Sequence, residues 1–241
     1  MTLTIELPVP RRVLAIGAHP DDIEFGCGAT LAKWSDAGAH VVLCVCSDGS
    51  KGTWDGDADL SALVARREQE QRDAAAVLGA IDVEMLRFVD GELQDDLPAR
   101  RAVADVIRRV RPDVVLAHDP WQSYRLHPDH HAAGMIAISG VVAARDPHFF
   151  PEQRLEPHRP STLLLFEPER VQHVEDVRGY VDRKIDALLA HRSQWQSTMG
   201  IHDDPRRERH AFATGLHDEA RAHGLRAGFG AGEAFARLDD L

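Results

Sequence analysis

Residues 13–28 read Val-Leu-Ala-Ile-Gly-Ala-His-Pro-Asp-Asp-Ile-Glu-Phe-Gly-Cys-Gly. An apolar run of strand length ends at Gly17 and is followed within five positions by one histidine and two carboxylates. His19 and Asp22 stand three apart, with Asp21 between them and Pro20 stiffening the turn. A buried strand that ends in a polar turn places reactive groups at its C-terminal end, where open α/β sheets hold their ligands. The same alternation, repeated along the chain, decides the fold.

Outward from this stretch, residues 12–17 read as a buried strand and 23–37 as a helix stopped at Gly38. Residues 40–46, rich in β-branched side chains, form the next strand. Residues 47–59 are a loop by composition, and 61–78 an amphipathic helix closed by Gly79. A strand at 83–87 leads into the turn Val89-Asp90-Gly91, residues 98–111 form a helix, and 113–117 a strand that opens into His118-Asp119-Pro120. A Gly/Ala/Ile-rich helix at 130–144, a Pro-rich excursion at 145–160, a strand at 163–166 and a helix at 177–191 follow. The last fifth has weak periodicity and supports no boundary. The expected fold is a three-layer Rossmann-like α/β sheet, mostly parallel, with helices on both faces. The expected organisation is one domain over 1–241, with about 145–241 completing the fold and shaping a substrate cleft.

The chain has 241 residues and a formal net charge of −11, which opposes a nucleic-acid surface. No run of about 18 apolar residues marks a membrane span. The N-terminal stretch 1–8 lacks the basic and apolar regions of a signal peptide. Three cysteines, two of them at Cys44 and Cys46 in a strand-like run, do not form a disulfide framework. The cytoplasm is the expected location and a small molecule the expected partner. A homo-oligomer is compatible with the sequence but not readable from it.

The second informative stretch follows the fourth strand and contains His127-Pro-Asp-His130. His and Asp at i and i+3 across a tight turn offer one nitrogen and one oxygen to a common point. A catalytic zinc takes three protein ligands and leaves one position open. The second His-Pro-Asp is the best placed source of the third ligand, one histidine binding the ion and the other remaining free. Asp21 would then stand beside the activated water as its base. Asp203 and Asp204, with His202 and His210, follow no strand and read as a solvated loop. Gly17, Gly26 and Gly28 lack the dinucleotide-binding spacing, and Asp21, Asp22 and Glu24 occupy the ground a pyrophosphate would need.

These motifs closely resemble the PIG-L/LmbE-like family of metal-dependent N-deacetylases. The resemblance runs over most of the chain: Ala18-His-Pro-Asp-Asp22 with Glu24 and Gly26-Cys-Gly28, Arg67-Glu-x-Glu70, Phe88-Val-Asp90-Gly91, Arg111-Pro-Asp-Val-Val115 and His127-Pro-Asp-His130. Lys184, His191-x-Ser-Gln194 and Gly232-Glu-x-Phe235 extend it. It implies hydrolysis of an N-acetylglucosaminyl-type acetamide. The implied metal ligands are His19, Asp22 and His130, holding zinc, with iron (Fe2+) or another divalent ion as an alternative in the cell. It also implies Asp21 as general base, His127 as oxyanion stabiliser or acid, Asp129 orienting His127, and Arg67 and Asp90 holding the sugar.

Two loops depart from the family pattern. Pro120-Trp-Gln-Ser-Tyr-Arg-Leu126 is longer and more aromatic than the Gly-rich form of sugar-thiol deacetylases, and its Tyr124 is a candidate cover for the site. Lys51 stands where the family commonly has Glu. Both touch substrate loops, so an amidase cutting a larger acyl or sugar-thiol conjugate is the near alternative. A non-catalytic small-molecule binder is the distant one. His131 would point away if a helix begins beside it.

Overall fold

The computed structural model describes residues 3–241, so Met1 and Thr2 of the N-terminal stretch lie outside the described residues. The elements alternate through most of the chain. They are β1 (Thr4–Ile5), β2 (Arg12–Gly17), α1 (Asp22–Asp36), β3 (His40–Ser47), α2 (Leu60–Leu78), β4 (Asp82–Phe88), α3 (Leu97–Val110) and β5 (Val114–His118). Then come α4 (Pro128–Arg145), β6 (Thr162–Phe166), β7 (His173–Asp176), α5 (Val181–Ala190), α6 (Pro205–Ala227) and β8 (Gly232–Asp239).

The strands form one sheet in the order β1-β7-β8-β6-β5-β2-β3-β4. Every pairing is parallel except those of β8, which runs against β6 and β7. The mostly parallel α/β sheet expected from the sequence is therefore present. Central β2 is apolar at consecutive positions because both of its faces are covered. Leu14 and Ile16 pack towards α3 and α4, while Val13 and Ala15 pack towards α1 and α2. Ala15 stands opposite Leu43 on one side and Leu116 on the other.

The chain leaves β2 for β3 on one side and returns to β5 on the other. The loops that follow β2 and β5 consequently diverge at the C-terminal edge of the sheet and leave a crevice between them. Local chemistry sets the helix ends around it. Asp59 accepts the N–H of Ala62 at the start of α2, Asp96 accepts that of Ala99 at the start of α3, and Gly79 closes α2 at φ 77°.

Helix α1 is broken at Cys27, where φ is −151°. The break frees the N–H groups of Ala29 and Thr30, and Glu233 from β8 accepts both, at 3.1 and 2.7 Å. Lys184 of α5 donates to the same carboxylate at 2.8 Å. Gly26 lies against the Phe166 ring, which any Cβ there would overlap. The distant Gly-Cys-Gly, Lys184 and Gly-Glu-x-Phe signatures are thus one assembly, and it seats the helix that carries Asp21 and Asp22.

Several sequence expectations need correction. The final region, whose weak periodicity supported no boundary, contains α6 and β8, and β8 inserts between β6 and β7. Asp204 is not part of a solvated loop running through His210: it caps α6, its carboxylate accepting the N–H of Arg207, and His210 lies inside that helix. Helix α5 begins at Val181, four residues later than the expected 177. Short β1 and β7 escaped the reading because two to four residues are too few to show a period. No described helix is long and apolar enough to cross a membrane.

Candidate active site

The crevice is lined by the loop after β2 (His19, Asp21, Asp22), the loop after β3 (Lys51, Gly52, Thr53, Trp54), Asp90 after β4, and His127 and His130 at the start of α4. Arg67 of α2 and the later Gln194, Ser197 and Thr198 close its other side. Its volume is about 290 Å³, the small end of the range for small-molecule sites.

Asp22 is the centre of the polar cluster. Its Oδ2 accepts the His19 N–H at 2.7 Å and lies 3.3 Å from His19 Nδ1 and 3.1 Å from His118 Nε2. Its Oδ1 lies 3.2 Å from His130 Nε2. Two ligand atoms on a tetrahedral ion with bonds of about 2.0 Å stand about 3.3 Å apart. The His19–Asp22 and Asp22–His130 separations are each of this size, one made by each oxygen of the Asp22 carboxylate. Donor atoms converge within 4.8 Å in three overlapping groups: His19, His127 and His130; Asp22, His118 and His130; and His19, Asp90 and Asp129. Imidazoles and carboxylates so concentrated suit a divalent cation.

The electrostatics follow from burial and proximity. Burial alone would raise Asp22, but the His130 and His118 imidazoles hold it well below the usual carboxylate range. Burial likewise opposes ionisation of Asp90, yet His19 and the Lys51 N–H bring it down to about 2. Asp21 behaves differently. Burial pushes its carboxyl up to about 6, against the pull of Arg67 and with a further push from Asp22. Asp21 also has a left-handed backbone, φ 104° and ψ −25°, which costs a non-glycine residue about 1–3 kcal/mol.

Arg67 is buried at 3 % exposure, and its fork is largely used by the protein itself. It donates to the Gly49 carbonyl at 2.8 Å and the Pro20 carbonyl at 2.7 Å, with Asp21 Oδ2 at 3.9 Å. Gly52 lets this guanidinium close on the loop, since a Cβ there would strike it. Lys51 is tied to the Asp90 turn: its N–H donates to Asp90 Oδ2 at 2.9 Å and its ammonium donates to the Asp90 carbonyl.

Two sequence expectations meet a different geometry. Asp129 is fully buried, and its Oδ2 faces His19 Nε2 at 3.2 Å while accepting the Gly91 N–H at 2.7 Å. It does not reach the His127 ring. Instead His127 caps α4, its Nδ1 accepting the Asp129 N–H at 3.3 Å. Tyr124 is 97 % exposed, has a left-handed backbone at φ 61°, and is not part of the crevice lining. His131 points away from the cluster, its Nδ1 2.7 Å from the Pro120 carbonyl.

Residues 14–141, more than half of the chain, match the family model described as PIG-L, GlcNAc-PI de-N-acetylase. The chain belongs to the PIG-L family. It is 35% identical to a diacetylchitobiose deacetylase of Thermococcus kodakarensis, over 77% of this chain and 70% of that one. It is 30% identical to a 1D-myo-inositol 2-acetamido-2-deoxy-alpha-D-glucopyranoside deacetylase of Thermomonospora curvata, over 76% of this chain and 80% of that one. Among solved structures, the N,N'-diacetylchitobiose deacetylase of Pyrococcus horikoshii, in complex with an inhibitor, superimposes with a TM-score of 0.85 at 31% identity. That match covers 95% of this chain and 84% of the other. As a PIG-L protein the chain is by class a metal-dependent N-deacetylase.

In this PIG-L chain the sequence reading named His118 and the loop holding Arg125 but assigned neither residue a role in the site. His118 is buried at the end of β5 and stacks on His130 with ring centroids 4.5 Å apart. A histidine directly ending an apolar strand was the available signal. The Arg125 guanidinium lies 3.0 and 3.1 Å from Nδ1 of His118 and His130 and donates to Glu167 at 2.6 Å. Nothing in its spacing singled it out.

Proposed function

We propose that the protein removes the acetyl group from an N-acetylglucosaminyl-type substrate, with zinc held by His19, Asp22 and His130. The placement of Asp22 between those two histidines, with Asp21 beside it, carries this reading. When bound, the ion supplies Lewis-acid polarisation of the amide carbonyl and lowers the pKa of water at the site.

The protein's own groups do the rest. Asp21, raised towards neutrality, takes the proton of the attacking water and returns it to the departing amine nitrogen. The helix-capping role of His127 leaves its Nδ1 as an acceptor, so Nε2 carries the proton and donates to the developing oxyanion. Asp90 and Arg67 face the sugar from the crevice wall, Asp90 through its carboxylate and Arg67 chiefly by fixing both adjoining loops. The C-terminal region from about 145 belongs to the same catalytic domain and shapes the cleft, supported by the cleft positions of Gln194, Ser197 and Thr198. The cytoplasm suits the chain, whose three cysteines are buried free thiols.

Incubation of the zinc-loaded protein with N-acetylglucosaminides and with larger N-acyl amides, reading released amine, tests this reading. Acetate and amine from the acetylated sugars are expected. Turnover of the larger amides alone would make the protein an amidase, and turnover of none would make it a binding protein.

A further inference from the structure

Behind Asp21 the protein buries a polar chain that the proposed reaction does not use. Gln71, Glu24 and His191 are each 0 % exposed, Gln71 from α2, Glu24 from α1 and His191 from the residue that caps the end of α5. Gln71 Oε1 accepts the Asp21 N–H at 3.1 Å. Gln71 Nε2 donates to Glu24 Oε1 at 2.6 Å. The other Glu24 oxygen lies 3.6 Å from His191 Nε2, and neither that oxygen nor either His191 nitrogen has a hydrogen-bond partner. A carboxylate and an imidazole this deep, and this incompletely paired, are expensive to keep.

The chain ends on the most strained residue of the crevice. Asp21 is not a glycine, yet it holds φ 104°. Its N–H is buried in this turn and needs an acceptor. An amide side chain offers either its oxygen or its NH2 group, and which one faces Asp21 depends on what lies on the other side of Gln71. A carboxylate only accepts, so Glu24 draws the NH2 group and turns the oxygen towards Asp21.

We propose that Gln71, Glu24 and His191 are positioning residues for Asp21. The three hold its backbone in the left-handed turn and thereby aim its carboxylate at the reacting centre. His191 contributes from the end of α5 by facing the free Glu24 oxygen, which places a C-terminal residue in control of an N-terminal turn. The inference rests on the assignment of Asp21 as the base.

Three variants test it. Gln71→Met keeps the volume and removes both hydrogen bonds; Glu24→Ala frees the Gln71 amide to rotate; Glu24→Gln retains an oxygen that accepts from Gln71. Gln71→Met and Glu24→Ala should lose about a hundredfold in kcat, the scale of a misplaced catalytic group, with KM and bound zinc unchanged. Glu24→Gln should restore most of kcat. Crystals of Gln71→Met should show residue 21 relaxed to negative φ, a readout that needs no substrate. Parental kcat in Gln71→Met, loss of zinc in proportion to activity, or an unchanged left-handed residue 21 would overturn the proposal. Failure of the parent protein to turn over any acetylated sugar would instead count against the deacetylase reading, and the backbone measurement would still decide this one.

Discussion

The Asp129 carboxylate stands 3.2 Å from His19 Nε2, not on the His127 ring two positions before it. Anchored also by the Gly91 and Leu93 N–H groups, it braces a proposed metal ligand from behind. Asp129→Asn should therefore weaken zinc binding about 10–100-fold, as loss of a ligand's outer partner does. His127→Ala should keep zinc and lower kcat about 10²–10³-fold, the scale of one oxyanion donor. Zinc titration with parallel kinetics separates them; intact zinc affinity in Asp129→Asn would return that residue to orienting His127.

Asp21 lies beside the proposed ligands without being one of them. Asp21→Asn keeps the shape and removes the base, so it should retain zinc and lose about 10²–10⁴-fold in kcat. Parental turnover in this variant would remove Asp21 as the base.

Three neighbouring histidines make different contacts. His130→Ala should lower zinc content outright, because its Nε2 approaches Asp22. His118→Asn should lower affinity about tenfold, since His118 orients Asp22 from the opposite oxygen. His131→Ala should leave zinc unchanged, its ring being held by the Pro120 carbonyl. Metal analysis after dialysis ranks the three, and zinc loss in His131→Ala alone would shift the ligand by one residue.

Two exposed aromatics differ in the same way, Trp54 in the crevice lining and Tyr124 outside it. Tyr124→Ala should leave kcat and KM unchanged, as its ring faces solvent outside the lining. Trp54→Ala should raise KM, because Trp54 lines the crevice. Steady-state kinetics on one acetylated sugar compares them directly.

Glu175 ties the sheet edge to α1. It lies 2.8 Å from His173 Nε2, accepts the Leu7 N–H at 2.7 Å, and pairs with Lys33 at 3.0 Å. Burial alone would raise its carboxyl, but these partners hold it below the ordinary glutamate range. A depressed carboxyl stabilises the fold above its unfolded pKa of about 4.3 and loses that contribution as pH falls through the lower folded value. Glu175→Gln should cost about 1–3 kcal/mol at pH 7. The gap between parent and variant in urea midpoints should close as pH drops below about 4; a gap that stays constant would exclude the ionic contribution.

The apolar runs at 13–17, 40–46, 113–117 and 163–166, each ending near a turn or a polar residue, determined by themselves that this is a mostly parallel α/β protein. They also determined which turns could carry chemistry, since a strand buried on both faces is continuously apolar and its end is abrupt. The two His-Pro-Asp stretches supplied the candidate ligands and base from local spacing, and the family resemblance singled out His130 as the third ligand. Tertiary structure decided what those stretches touch. Asp129 turns from His127 to His19, Tyr124 leaves the crevice, His118 joins Asp22, and Gln71, Glu24 and His191 meet behind Asp21. These relations link positions up to 167 residues apart, as between Glu24 and His191. They depend on how the crossovers bring strand ends and helix faces together, and no local period or spacing records that.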